Sequence, residues 1–292
     1  MGTGFWTSIV LTVSLFGGLF LFALHEEKQR LLQRNPRTYD AAQLRARLRE
    51  MAEPSLLLLP ASEPAFSKLG GDPELPATVS WPSDDDIFLA QVDLGEVRAS
   101  GGPAWLAAEG RIFVFYNPDG HGSPDVVRVI YSPDQSGPET ATSPRTKRRF
   151  PEQRVRFACV ISAPSMAWLG LAHHRLEDDN PDAWKEIAAL VTAPPDEDIQ
   201  HRIGGYPNEI QDAQMALICE CALHCLPNPA YQAEVTPELE QAADAWRLLI
   251  QIDSDPALRM NWGDGGRLYT FIRKTDARAG DFSKTVAIWQ TY

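Results

Sequence analysis

The sequence is poor in cysteine and in positive charge, and both shortages narrow the classes of protein that it can encode. Only 4 of the 292 residues are cysteine, and nothing in their spacing suggests a disulfide framework. Lysine and arginine together number 27, against 39 aspartate and glutamate residues, which gives a formal net charge of -12. An acidic chain is a poor general surface for nucleic acid, so we expect no nucleic-acid partner. The charge suits solubility or a basic protein partner.

The common catalytic and nucleotide-binding motifs are also missing. There is no Gly-x-Ser-x-Gly elbow, and no serine or cysteine stands out as an activated nucleophile. The glycine pairs at residues 70–71 and 204–205 lack both the Gly-Lys-Ser/Thr ending of a phosphate loop and the spacing of a dinucleotide-binding loop. We therefore expect no cofactor, and a non-catalytic role is favoured over an enzymatic one.

Charged side chains are absent from the first 24 residues. Residues 5–24 form an apolar run that would rise about 30 Å as a helix, which matches the hydrocarbon core of a bilayer. A cleaved secretory signal is the alternative, but the basic n-region and the small-residue cleavage site are missing. Lys28, Arg30, Arg34 and Arg37 follow the run, so the positive-inside rule places the body in the cytoplasm. The sequence thus predicts a single-pass cell-membrane protein that contacts the lipid bilayer through residues 5–24.

A block of residue spacing occurs twice in the rest of the chain. Each copy contains apolar-Gly-Gly-x-Pro, then an apolar run that ends in Gln-apolar-Asp, then Gly-Arg-apolar-aromatic-x-Phe. The first copy begins at Leu69 and the second at Ile203. Gln91 and Gln251 stand at the same place in the two apolar runs, which indicates a buried hydrogen bond from each strand to a loop.

Short predicted strands with long, mixed connections predict an α+β fold with largely antiparallel sheets and an internal duplication. The duplication divides a domain at residues 60–292 into two related halves, at about 60–165 and 200–292. In front of it we expect a transmembrane anchor at residues 1–25 and a helical tether at 26–59. Within that tether, the pattern predicts a helix followed by a short buried strand.

The second copy carries strings that are typical of a known family. They read HRIGGYPNEIQ at 201–211, LLIQIDSD at 248–255, NWGDGGRLY at 261–269 and IWQTY at 288–292. Together they resemble the YwqG-like family of bacterial proteins, a domain family of unknown function, over about residues 60–292. The resemblance implies an α+β fold with an internal duplication. It implies no activity, because the family has no established catalytic residues.

An acidic constellation follows the second apolar run. Asp253, Asp255 and Asp264 flank a loop at a strand end, where functional sites often lie, and His201 belongs to the same copy. Carboxylates bind hard cations and perform acid–base chemistry. The alternative is that the aspartates cap turns, which is the commoner arrangement. A hydrolytic or metal-assisted enzyme that uses these four candidate catalytic residues is therefore the second hypothesis for the function.

Several features of the second copy have no counterpart in the first, so a functional face is expected there. We assign candidate binding roles to residues of that copy, namely Arg202, Tyr206, Trp262 and Arg267. The first hypothesis for the function is accordingly a membrane-anchored, non-catalytic module that binds a protein or regulates one.

The cysteines form one loose cluster with a histidine. Cys219, Cys221, His224 and Cys225 lie within seven residues on a predicted helix. Structural zinc needs four convergent ligands, usually from two separate knuckles, and no second pair accompanies this cluster. The favoured interpretation is that the thiols pack as small hydrophobic groups, with metal binding as the weak alternative.

Overall fold

The computed structural model describes residues 41–120, 126–134, 139–141, 149–165, 168, 199–211, 214–226 and 235–292. The strands in these ranges are β1 Glu53–Pro60, β2 Lys68–Leu69, β3 Glu74–Leu75, β4 Ile87–Asp93, β5 Arg111–Tyr116, β6 Val127–Ser132, β7 Glu139–Thr140, β8 Gln153–Ser162, β9 Arg202–Ile203, β10 Trp246–Asp253, β11 Arg267–Arg273 and β12 Val286–Gln290. The helices are α1 Ala41–Met51, α2 Leu94–Ala99, α3 Met215–Leu223, α4 Pro237–Ala243, α5 Lys274–Ala279 and a 3-10 turn at Phe282–Lys284.

Ten of the strands form one antiparallel sheet, in the order β12-β11-β10-β9-β1-β8-β2-β4-β5-β6. The longest pairing lies at its centre, where β1 and β8 run in register from Glu53 opposite Ser162 to Pro60 opposite Val155. The remaining two strands, β3 and β7, pair with each other. The central position of β1 gives residues 53–60 a structural role in the sheet itself, although residues 53–59 lie in the predicted tether.

The two sequence blocks occupy mirrored positions on either side of the β1–β8 pair. On one side β2 pairs with β4 and places Lys68 opposite Gln91, while on the other β9 pairs with β10 and places Arg202 opposite Gln251. The next pairings, β4–β5 and β10–β11, both contain a register shift near the middle of the strand. The glycine pairs that follow β2 and β9 all have φ between +61° and +74°, a backbone region that a Cβ disfavours. Each block therefore encodes the same local structure.

The two repeated glutamines perform the predicted structural role. Gln91 donates from Nε2 to the carbonyl of Phe66 and accepts at Oε1 from the backbone N–H of Glu74. Gln251 donates to the carbonyl of Gln200, and its Oε1 accepts from the N–H of Asn208. Because both glutamines are fully buried, these bonds satisfy amide groups that would otherwise be costly to remove from water. The prediction of a buried hydrogen bond from each strand to a loop is confirmed.

The sheet curls until its two ends approach each other. Tyr131 of β6 stacks on Phe282 with ring centroids 5.2 Å apart, and Tyr116 of β5 makes a T-shaped contact with Trp262, with ring centroids 5.1 Å apart. One apolar core is therefore shared by both halves, and it joins β4 and β5 to β10 and β11. Trp262 is 1% exposed within this core, which identifies it as a packing residue.

The predicted α+β fold class is wrong in its balance of helix and sheet. The protein is mostly a nearly closed antiparallel sheet, and its described helices have between 6 and 11 residues. One example is Trp246, because Thr236, Pro237 and Glu238 predict a helix that begins there and runs through this residue. The helix ends at Ala243, and Trp246 instead begins β10 with no exposed surface. A strand that is buried on both faces of a sheet is apolar throughout, so its periodicity does not distinguish it from a buried helix.

The predicted N-terminal transmembrane helix, and with it the single-pass membrane location and the cytoplasmic body, also requires correction. Among the residues that the structure describes, no helix combines the length and the apolar character needed to cross a bilayer. Residues 5–24 lie outside the described residues. The membrane prediction depends on that run alone, and the structure does not support it. The boundaries proposed for the tether and for the two halves stay predictions.

Candidate functional site

A cleft of about 750 Å³ opens at the edge of the second half, where β10 ends and β11 begins. This volume lies within the range of small-molecule binding sites. Its walls come from the segment before β9, the loop between β10 and β11, and the last residue of the chain. The lining residues are Ile199, Gln200, Asn208, Asp253, Ser254, Pro256, Arg259, Met260, Asn261, Gly265, Arg267 and Tyr292.

The corresponding edge of the first half is covered by a helix. Asp93, at the end of β4, caps α2 by accepting hydrogen bonds from the N–H groups of Gly95 and Glu96. The Glu96 carboxylate then accepts from the N–H groups of Phe66 and Ser67. In the second half the chain forms a loop after β10 instead of a helix. The cleft is open in the second half because a loop, and not a helix, follows the Gln-x-Asp segment.

Asp253 forms the floor of the cleft and is committed to internal bonds. Its Oδ2 accepts from the N–H of Gln200 at 2.9 Å and from Nε of Arg267 at 3.1 Å. Its Oδ1 accepts from the side-chain amide of Gln251 at 2.8 Å. With the side chain 4% exposed, these three bonds stabilise a carboxylate that is nearly removed from water.

Arg267 lines the cleft beside Asp253. Its Nη1 donates to the carbonyl of Asn208 at 2.8 Å, and the hydroxyl of Tyr269 donates to the same carbonyl at 2.8 Å. Although burial opposes it, the Asp253 carboxylate raises the pKa of Arg267. Burial in turn raises the pKa of Tyr269 above its usual value, which keeps the phenol protonated. Within the described ranges Nη2 of Arg267 makes no hydrogen bond.

His201 lies behind the cleft and does not reach it. Its Nδ1 accepts from the N–H of Asp253 at 3.1 Å, so the ring proton must be on Nε2, which donates to Oδ2 of Asp255 at 3.3 Å. In the first half Ser67 takes the same place, since its Oγ accepts from the N–H of Asp93. The Ser67 hydroxyl in the first half and the His201 imidazole in the second half therefore accept a hydrogen bond from equivalent backbone N–H groups, which is a structural role.

Asp255 holds the loop that forms one wall of the cleft. Its Oδ1 accepts from the N–H groups of Ala257 and Leu258 at 2.7 and 3.3 Å, and its backbone pairs with Met260. The hydrogen bond from His201 lowers the pKa of Asp255, against the effect of burial. The prediction of aspartates that cap turns describes this residue well.

Replacing Asp255 by asparagine should therefore destabilise the protein by about 2 kcal/mol near neutral pH. The new amide must either face Nε2–H of His201 with a second donor or turn away and release the loop. Because the folded-state pKa is lowered, the stabilisation by the carboxylate is full above the unfolded pKa of about 4 and is lost as the pH falls through the folded value. Urea unfolding of both proteins between pH 6 and pH 3 would check this. A difference that does not narrow at acidic pH would contradict the assignment.

The remaining acidic candidate is not part of this arrangement. Asp264 is exposed in a turn, and its carbonyl accepts from the N–H of Tyr292. The structure thus brings Asp253, His201 and Asp255 into one hydrogen-bonded chain and leaves Asp264 outside it.

Of the four residues to which binding roles were assigned, only Arg267 lines the cleft. Arg202 is 4% exposed and donates to the carbonyl of Tyr206 and to Oε1 of Gln200. Burial lowers the pKa of Arg202 to about 10, although Asp253 opposes the shift. Tyr206 donates to the carbonyl of Met51, and burial raises the pKa of its hydroxyl to about 12. The side chains of Arg202 and Tyr206 therefore form hydrogen bonds inside the protein and do not line the cleft.

The cysteine cluster does not converge. Cys219 packs with Met215 and Trp246, whereas Cys221 packs in a different apolar cluster, and burial raises the pKa of both thiols. His224 bonds Oε1 of Glu220, and Cys225 is exposed. In the part of the chain that the structure describes, no group of three or more histidine, cysteine, aspartate and glutamate side chains could hold a metal ion.

Sequence reasoning missed most of the lining residues. Arg259 and Asn261 lie in a loop in which only the aspartates predict a site, and Asn208 and Tyr292 carry no local signal of a cleft. One signal was available, because Arg259 is the sole charged residue between Asp255 and Asp264.

Comparison with known proteins identifies a family. The family model described as Domain of unknown function (DUF1963) matches residues 67–291, and the chain belongs to this family. The match confirms an uncharacterised domain family over most of the chain, while the YwqG-like name is not confirmed. No curated protein matches the sequence.

Proposed function

We propose that this chain is a non-catalytic binding or regulatory module and that the cleft at the end of β10 is its binding site. The observation that carries the proposal is the difference between the two halves. At one edge α2 covers the end of β4, while at the mirrored edge a loop leaves polar side chains around an open cleft. Two copies of one local structure that differ at this edge are what a binding site added to a structural duplication would produce.

The alternative, a hydrolytic or metal-assisted enzyme, has weaker support. A general acid or base must reach the proton that it transfers, within hydrogen-bond distance of the substrate. The carboxylate of Asp253 accepts three internal bonds, and Asp255 and His201 bond each other behind the cleft. Neither Asp255 nor His201 lines the cleft, so the geometry favours binding over proton transfer.

We extend the proposal to the finer family assignment and to a partner. The strings of the second copy support the YwqG-like resemblance within the broader family. The net charge of -12 supports a basic protein partner that approaches the outer surface, because opposite charges steer association.

A photo-cross-linking amino acid placed at Asn261 would test the binding site. Asn261 is exposed on the cleft wall, so a bound molecule should be captured there in cells that express the chain. The matched control is the same substitution at Arg278, which is exposed on α5 at the other end of β11. Intact-mass spectrometry detects either a protein adduct or a small-molecule adduct. We expect adducts at residue 261 and none at 278; equal capture at both positions, or capture at neither, would count against the cleft.

A further inference from the structure

The charge that lines the cleft is opposite in sign to the charge of the chain. Its charged side chains are those of Arg259, Arg267 and Asp253, two cations against one anion. The single carboxylate is already paired with Arg267 at 3.1 Å. A cleft with a surplus guanidinium on a chain of net charge -12 is a local positive site, and such a site attracts anions.

Arg267 is held in position to bind a ligand. The residue is 8% exposed, and two of its nitrogens are fixed, Nε by Asp253 and Nη1 by the carbonyl of Asn208. These bonds lock the plane of the guanidinium, and Nη2 remains without a hydrogen bond in the described part of the chain. Nη2 does not belong to the buried polar atoms that lack a partner among the described residues, so it is accessible from the cleft and can donate to a bound group.

Arg259 supplies a second cation from a strained position. Its φ is +52°, in the left-handed region that residues other than glycine rarely adopt. The conformation is enforced by two backbone bonds between Asp255 and Met260, at 2.9 and 3.0 Å. The Arg259 guanidinium is exposed and has no hydrogen bond or ion pair with any described residue. Strain of this kind persists where the surrounding structure imposes it, often at ligand sites.

We propose that the cleft binds an oxyanion, a carboxylate or a phosphate group of a small ligand, between Arg267 and Arg259. The inference rests on the proposed binding function and names the chemistry that this site recognises. Arg267 contributes a fixed donor at the base of the cleft, and Arg259 approaches the same anion from the loop. The amide of Asn261 adds a further donor at the cleft wall, while the ring of Tyr292 offers an apolar surface to the rest of the ligand.

Calorimetric titration of the full chain with three probes would test the proposal. The probes are inorganic phosphate, N-acetylalanine and, as the neutral match of the second, N-acetylalaninamide. Binding of phosphate, of N-acetylalanine or of both supports the site and identifies the group that it prefers. Binding of neither anion at millimolar concentration, or equal binding of the amide, overturns it.

Two variants locate the binding. Arg259→Gln removes an exposed side chain, so the fold should be kept, and the dissociation constant of the preferred anion should rise about tenfold. Arg278→Gln makes the same charge change on α5 and should leave the dissociation constant unchanged. If both variants weakened anion binding equally, the loss would follow from the change in net charge, and the proposed site would be wrong. Capture at residue 261 without any anion binding would overturn this inference while leaving the proposed function intact.

Discussion

Asp253→Asn is expected to lower the free energy of unfolding by about 3–5 kcal/mol, the cost of breaking a buried ion pair from one side. The substitution leaves the Arg267 guanidinium in the cleft wall without its counter-charge. It also turns one acceptor oxygen into a donor, so that the N–H of Gln200 or the amide of Gln251 loses its partner. An asparagine of nearly the same size creates no cavity, so the loss reports on charge and hydrogen bonding alone.

Urea unfolding at neutral pH would measure this loss, with Asp264→Asn as the matched control. Asp264 is exposed in the same loop, and its side chain takes part in no described bond, so the control should change stability by less than about 0.5 kcal/mol. If Asp253→Asn were as mild as the control, the ion pair with Arg267 would contribute little to the stability of the fold, and the assignment would be wrong.

Gly266→Ala is expected to destabilise the protein by about 3 kcal/mol or more, because the added methyl group has no space. A Cβ at this position would lie 2.2 Å from the carbonyl oxygen of Gln290 and 2.3 Å from that of Trp262. Both contacts are to backbone, which cannot rotate away as a side chain would. The residue immediately precedes β11, so any shift would displace Arg267 from the cleft.

The neighbouring Gly265 provides a control that separates lack of space from backbone conformation. Gly265 has φ of +62°, but a Cβ there would meet only the ring of Tyr292, at 3.6 Å. Gly265→Ala should therefore cost about 1–2 kcal/mol, the penalty for an L-residue in the left-handed region. Thermal or urea unfolding of the two variants gives the comparison. An equal or larger loss for Gly265→Ala would show that the contacts around Gly266 relax easily.

The sequence predicts the local parts of the fold much better than their assembly. The apolar runs of β4, β5, β10 and β11 and the buried role of Gln91 and Gln251 follow from patterns within a few residues. The curled sheet does not, because it depends on contacts between distant residues such as Tyr131 and Phe282. The predicted balance of helix and sheet is wrong for a related reason, since local patterns identify single helices and strands but not the one large sheet that ten of the strands form.

The site shows the same division. Asp253 and Arg267 were singled out and both line the cleft, because a polar pair at a strand end is a local signal. His201 and Arg202 were also singled out, yet they face inward. The side chains of His201 and Arg202 turn inward because they bond to Asp255 and Gln200. No pattern in the sequence identifies these bonding partners. Arg259 was missed because its exposure to the cleft follows from one turn of the loop.

The mirrored sheet order has a consequence for how the duplication is arranged along the chain. In the first half the strand beside β2 is β8, which follows β6 in the chain after residues 133–152, a stretch that includes the short strand β7. In the second half the strand beside β9 is β1, which comes from the beginning of the described chain. The second unit is therefore circularly permuted relative to the first, with its last strand encoded before all the others. Linking β12 to β1 and opening the chain between β1 and β2 would produce two contiguous copies in tandem, so residues 53–60 belong to the second unit in space and cannot be removed without leaving it one strand short.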